Sequence, residues 1–250
     1  MDAILLPLPE NCFCGRFLRR EKRFFIAFSR EDKLLWAHTN NSGSMLGLLR
    51  PGSPILVSPA ENPARRLPYT LELVCLAGAN DSSFFAGSPD NAWVGVNTLV
   101  PNRILRSAFA AKLLPFARGY THFAAEVQCG DSRFDALLTG DSLPPLWVEC
   151  KNVTLVEDGV ASFPDAVTVR GQKHVRAMTE LVATGARAAF FYCVQRTDAS
   201  CFAPADYIDP VYAGLFYEAL SLGVEVWPFV VPADPTGFRF SRQLPVLPEF

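Results

Sequence analysis

Histidine is scarce in this chain, with 3 residues in 250, and His38, His122 and His174 are far apart. None has a second His, Cys or acid at zinc-ligand spacing, which argues against a sequence-local zinc site. The 7 cysteines are an odd count without paired spacing. Cys12-Phe13-Cys14 has one intervening residue and no matching second pair, so a disulfide framework is excluded and a reducing cytoplasm fits best. Net charge is nearly absent at −2, from 23 basic and 25 acidic residues. No overall positive field is then available to hold the molecule on nucleic acid or an anionic membrane, and phosphate binding must be local. The beginning of the chain has no basic n-region followed by a long apolar stretch, and no 18-residue uncharged apolar run follows later. The expectation is a soluble, cytoplasmic protein with no membrane partner. Gly-rich phosphate loops and a Gly-x-Ser-x-Gly nucleophile elbow are also missing, which disfavours ATP-driven chemistry and serine hydrolase chemistry.

What is present is ample apolar material: hydrophobic residues are 50% and charged residues 19%, enough to bury a core in one or two domains. The 20 prolines are scattered, which predicts many short elements with abrupt turns. Over the first hundred residues short apolar runs at 24–28, 34–37, 55–57 and 71–76 alternate with Gly, Pro, Asn and Ser clusters. That texture predicts a small β-barrel or sandwich. From Asn97 the apolar residues Leu99, Ile104, Leu105, Ala108, Phe109 and Leu113 recur at helical spacing and open a second unit. Strands are predicted over 121–128, 133–138 and 146–156, the first two joined as a hairpin. Helices follow from Thr168 to Ala183 and from Asp209-Pro210 to Leu222, with strands at 188–194 and 224–231. This order predicts an α/β unit with a mixed sheet.

Chemistry is concentrated in Arg133-Phe134-Asp135 and Trp147-Val148-Glu149-Cys150-Lys151. Side chains alternate along a strand, so Glu149 and Lys151 project from one face and Cys150 from the other. With Asp135 on the neighbouring strand, two carboxylates facing one gap make an oxygen site for Mg2+ or Mn2+, to which the Cys150 backbone carbonyl could add. Protonated Lys151 cannot ligate, but it can orient water or stabilise charge developing on a phosphate. The rival reading is a solvated cross-strand ion pair. Sugar-bond hydrolysis by the paired carboxylates is a weaker alternative, because Lys151 would depress the pKa of the acid that should be raised.

The acid, acid-x-Lys order resembles the PD-(D/E)XK nuclease-like core, and that resemblance makes Asp135 and Glu149 metal ligands, Lys151 the catalytic cation and Glu126 the candidate extra acid. Pro164-Asp165 follows the triplet and is out of order for such a role. The run Phe163-Pro164-Asp165-Ala166-Val167-Thr168-Val169-Arg170-Gly171-Gln172-Lys173-His174 then presents Gln172 and Lys173 at a helix start, where free N–H groups favour anions. With Arg20 to Phe24, His38 to Met45, Arg66 to Leu73, Val96 to Leu99, Asn102-Arg103 and Ser132 to Asp135, this run resembles the sugar fermentation stimulation protein family, SfsA, over almost the whole chain. His38-Thr39-Asn40-Asn41-Ser42-Gly43 departs from the family's usual His-Cys-Pro-Asn-Thr-Gly, and Val169 stands where an acid is frequent.

The resemblance implies a two-domain α+β/α/β protein: an N-terminal OB-like β-barrel over 1–95 and a C-terminal PD-(D/E)XK nuclease-like mixed-sheet α/β domain over 96–250. It implies binding to DNA, with a single strand among the forms an OB groove accepts. Between Cys14 and Lys33 seven basic residues meet three acidic ones, and Phe17, Phe24, Phe25 and Phe28 lie among them. These rings serve either as stacking platforms or as barrel core. The candidate DNA contacts on the barrel are Arg16, Arg19, Arg20, Lys22 and Arg23, joined by Arg65 and Arg66. Arg103, Arg133, Arg170, Lys173 and His174 are those of the second domain. Catalysis would fall to Asp135, Glu149, Lys151 and Gln172. The alternative function is a non-catalytic DNA-binding regulator of sugar (maltose) fermentation genes that keeps a relic nuclease fold. Oligomeric state is not legible.

Overall fold

The computed structural model describes residues 3–62, 64–76 and 93–249; residues 1, 2, 63 and 77–92 of the expected barrel domain, and residue 250, lie outside them. Five strands close a barrel: β2 (Phe13–Glu21), β3 (Phe25–Arg30), β4 (Lys33–His38), β5 (Pro54–Pro59) and β6 (Tyr69–Cys75). Around it β6 pairs β4, β4 pairs β3, β3 pairs β2, β2 pairs β5, and β5 returns to β6. Closure leaves no open edge within the ring. Phe17, Ile26, Phe28, Val57 and Leu71 fill its interior. This is the expected OB-type barrel, and Phe17 and Phe28 belong to its core. Phe24 and Phe25 remain nearer the surface, with the Arg66 guanidinium 5.6 Å above the Phe25 ring.

The barrel sheet extends through β7 (Trp93–Gly95) to two late strands, β16 (Ala233–Asp234) and β17 (Gly237–Arg239), and ends on β1 (Ile4–Pro7). The chain therefore crosses the expected 95/96 boundary a second time, near its other end.

The second unit is the expected mixed-sheet α/β domain. Its five-stranded sheet runs β15 (Glu225–Val230), β13 (Arg187–Val194), β10 (Leu146–Val153), β9 (Ser132–Thr139) and β8 (His122–Cys129). The first three are parallel and the β10–β9 and β9–β8 pairs are antiparallel. Helix α1 (Val100–Ala110) packs Ile104, Leu105 and Ala108 with Leu146, Val148 and Phe191. On the other side α2 (Val169–Ala183) and α3 (Pro210–Ser221) bury Val175, Met178, Tyr212 and Phe216 with Phe190 and Tyr192. Both helices start where the sequence places caps: the Gly171 N–H donates to Thr168 Oγ1 at 3.0 Å, and the Tyr212 N–H to Asp209 Oδ1 at 2.9 Å. Each such cap satisfies one of the free N–H groups of a first turn. A small third sheet, β11 (Leu155–Glu157), β12 (Val160–Phe163) and β14 (Cys201–Pro204), flanks this layer. Among the described residues no helix is long and apolar enough to cross a membrane.

Candidate functional site

Strand β10 carries the site because its two faces have different neighbours. Cys150 joins the apolar cluster with α1, whereas Glu149 and Lys151 face α2, whose second turn brings up His174. Glu149 is 4% exposed. Its Oε1 accepts from Lys151 Nζ at 2.7 Å and is also hydrogen-bonded to His174 Nδ1. Lys151 Nζ is also 3.4 Å from His174 Nδ1, so two basic nitrogens converge on a single carboxylate oxygen. The other oxygen, Oε2, is buried and has no hydrogen-bond partner among the described residues. Burial alone would raise the Glu149 pKa, but Lys151 and His174 outweigh it and hold the carboxyl below its ordinary value.

Asp135 sits where β9 peels away from β10, just past the last paired residues Ala136 and Val148. The loss of pairing frees the Cys150 N–H, which donates to Asp135 Oδ2 at 2.7 Å, while Asn102 Nδ2 of α1 donates to Oδ1 at 2.6 Å. In a strand the C=O of a residue points the same way as its N–H, so the Cys150 carbonyl also faces the Asp135 side. Burial, and then the charge of Glu149, lift the Asp135 carboxyl to about 6.

The residues fit a hard divalent cation. Glu149 Oε2 is a desolvated anionic oxygen with no donor. The two Asp135 oxygens each accept one hydrogen bond and keep lone pairs, and oxygen donors of this kind suit Mg2+, Mn2+ or Ca2+. Among the described residues no group of three or more His, Cys, Asp and Glu side chains is gathered for a metal. For such an ion two carboxylates and a main-chain carbonyl would be the donors, with water for the remainder, as is usual for Mg2+. Glu126, the candidate extra acid, borders the same cavity but is ion-paired with Arg133 at 2.9 Å and accepts from Asn102 at 3.4 Å.

That cavity, of about 530 Å3, is lined by Asp135, Glu149, Cys150 and Lys151, and three of the expected cationic contacts, Arg23, Arg133 and Arg170, open onto it. The other expected residues are elsewhere. Gln172 Nε2 is held by Asp209 at 3.0 and 3.2 Å, so its amide serves the α2–α3 junction rather than the carboxylates. Lys173 reaches the Asp131 carbonyl at 3.4 Å. His174 is 6% exposed and turned to Glu149 rather than to a phosphate surface. Arg103 is exposed on α1. On the barrel, Arg65 donates to the carbonyls of Leu67 and Tyr69, Arg16 to Gly52, and Arg20 to Arg23, Asn41 and Gly43. Arg19 pairs with Glu21 at 2.7 Å and lies 5.5 Å over Trp36. Lys22 and Arg66 border a separate groove of about 510 Å3 beside Phe25 and Trp36. Sequence reasoning gave no role to Asn102, and it left His174 either to contact phosphate or to orient a ligand. The only signal for the first was its place in a family segment; for the second it was a histidine one turn into the helix opposite the acid-x-Lys strand.

Comparison with known proteins agrees over nearly the full chain. Residues 99–237 match the family model described as the sugar fermentation stimulation protein RE domain, and residues 18–80 match the SfsA N-terminal OB domain. A sugar fermentation stimulation protein homolog of Syntrophobacter fumaroxidans is 54% identical over 246 residues, covering 98% of this chain and 89% of the relative. A homolog of Lawsonia intracellularis is 44% identical and fully covered by this chain, which it fully covers in turn (100% of each). Among solved structures, that of Pyrococcus furiosus SfsA in complex with Ca2+ superposes with a TM-score of 0.85 at 25% identity, covering 98% of this chain and 99% of that one.

Proposed function

The chain belongs to the sugar fermentation stimulation (SfsA) family, and from that premise we propose that it binds DNA and hydrolyses phosphodiester bonds at a divalent-cation site, with the PD-(D/E)XK arrangement of acids and lysine. The observation that carries this reading is the buried Glu149 carboxylate, whose Oε2 has no partner among the described residues, lining one cavity with Asp135 and Lys151. Asp135, Glu149 Oε2 and the Cys150 carbonyl would hold the ion. When bound, a divalent cation polarises a phosphoryl oxygen and lowers the pKa of water.

The chain's own groups do the rest. Lys151 and His174 occupy Oε1 of Glu149, which fixes the carboxylate and leaves the second oxygen as the one that would ligate an ion. Lys151 lines the cavity, where its ammonium would stabilise negative charge growing on the phosphate. Arg23 from the barrel and Arg133 and Arg170 from the second domain, all lining the cavity, would position the polyanion. That the Pyrococcus furiosus relative was solved in complex with Ca2+ supports a hard cation as the ligand.

The test uses purified protein with single- and double-stranded DNA in Mg2+ or Mn2+. Lys151→Ala is expected to slow cleavage by about 10²-fold or more, the scale of removing one preorganised charge-stabilising donor. Equal cleavage by both proteins removes Lys151 from the mechanism. DNA binding that weakens steeply with salt, in the absence of any metal-dependent cleavage, overturns the enzymatic reading in favour of a non-catalytic binder.

A further inference from the structure

The cavity is not the property of the mixed sheet alone. Residues 40–43 of the barrel domain, in the connection between β4 and β5, form one of its walls, and Arg23 of the β2–β3 turn stands beside them. This wall is pinned on three sides. The Met45 N–H donates to Asp165 Oδ2 at 2.8 Å and Ser44 Oγ to the Asp165 carbonyl at 2.6 Å, joining it to the segment before α2. Arg20 donates to the carbonyls of Gly43 at 2.7 Å and Asn41 at 2.6 Å, joining it to the barrel. Asn40 donates to Asn97 Oδ1 at 2.7 Å and accepts from the Thr98 N–H at 3.0 Å, joining it to the start of α1. At Gly43 the fit is close enough that a Cβ would come under 3.0 Å from the Asp165 carboxylate atoms.

On the strength of the phosphodiesterase reading, we propose that this fixed wall makes the site specific for a single DNA strand passing between the barrel and the mixed sheet, and excludes duplex. Three observations lead there. A volume of about 530 Å3 is that of a small-molecule pocket, suited to a nucleotide or so of one strand. The carboxylates that would hold the ion are sunk in its lining, Glu149 only 4% exposed, so the backbone must descend to them between the walls. Duplex DNA is a stiff rod over about 150 base pairs, whereas a single strand bends and splays its bases at little cost.

The lining also suits one strand held by its backbone. Arg23 comes from the barrel, Arg133 and Arg170 come from the second domain, and Phe163 is the one aromatic ring among the described residues that border the cavity. With little to stack on inside, the grip there is on phosphate and sugar, and it is indifferent to sequence. Asp165, whose Pro164-Asp165 pair stands out of order for a metal ligand, is on this account the residue that ties the wall down.

The experiment compares cleavage of one end-labelled oligonucleotide, free and annealed to its complement, in Mn2+. The wild type is expected to cut the free strand at least about tenfold faster. Asp165→Ala and, separately, Ser44→Ala are expected to raise duplex cleavage and bring the ratio toward one, with thermal unfolding confirming that each variant is folded. Equal rates on both substrates by the wild type overturn the inference and leave the phosphodiesterase reading standing. No cleavage of either substrate overturns both. An undiminished strand preference in both folded variants refutes the wall as its origin.

Discussion

Replacing Lys151 by methionine should reveal how the site is held before any ion or substrate arrives. Lys151 Nζ is 2.7 Å from Glu149 Oε1, and the two side chains are 11% and 6% exposed. Removing one partner of a buried ion pair costs about 3–5 kcal/mol, because the survivor is left as an uncompensated charge. His174 still faces the same oxygen, which moves the expected loss to the lower end, about 3 kcal/mol. The double variant Glu149→Gln/Lys151→Met removes both charges while keeping the shape, and should fall within about 1 kcal/mol of the wild type. Addition of Mg2+ or Mn2+ to Lys151→Met at about 100 times its Kd should return about 2.7 kcal/mol, since a cation bound only by the native state stabilises it by mass action. Denaturant unfolding in EDTA and then in metal reads all three, as shifts in midpoint at constant slope. A cost below about 0.5 kcal/mol for Lys151→Met, as at a surface position, would refute the buried anchor. A double variant as unstable as the single one would show that packing, not stranded charge, was lost.

Asp135 gives the metal-free protein a pH dependence of unusual sign. Its carboxyl, lifted from 3.8 to about 6, keeps a proton in the native state that the unfolded chain has already released. Stability in EDTA should therefore fall by up to about 3 kcal/mol as pH rises from about 4 to about 6 and level off above. Glu149, held below its ordinary 4.5, acts oppositely but only at the acid end of that range. Asp135→Asn should abolish the decline, and a wild-type stability that rises through this window contradicts the assignment. His174→Ala should weaken Mn2+ binding by about 10-fold or more in calorimetry, as removal of a group orienting a metal ligand does, with partial recovery in His174→Asn. Unchanged Mn2+ affinity would reduce His174 to core packing.

The parts of this molecule that depend on local chemistry are legible in its sequence. Thr168 and Asp209 announce their helices because a cap is a contact between near neighbours, and α1 shows itself through the three-to-four spacing of Ile104, Leu105 and Ala108. Asp135 and the Glu149-x-Lys151 triplet are legible because strand alternation fixes which side chains share a face. What eludes the sequence are contacts whose partners lie far along the chain. Gln172 has the composition of a phosphate binder, but Asp209, 37 residues on, claims its amide. Arg20 and Arg65 look like nucleic-acid contacts and instead satisfy loop carbonyls, which charge counting cannot distinguish. Phe17 and Phe28 divide from Phe24 and Phe25 only once the barrel closes. The strands Ala233–Asp234 and Gly237–Arg239 are too short to carry a period of their own, and the open edges of β7 and β1 induce them.

Those late strands bear on how the chain can be divided in the laboratory. Strand β17 lies between β1 and β16, so the opening and closing stretches of the polypeptide are hydrogen-bonded side by side. A backbone nicked between Gly95 and Val96 should therefore stay one particle on gel filtration, its fragments clasped by main-chain ladders. Expression of the barrel segment alone would strip β7 of β16 and β1 of β17 and expose raw edges that invite self-association. The closing stretch behaves less like a tail than like a buckle, and functional dissection of the two halves is better done by point substitution than by truncation.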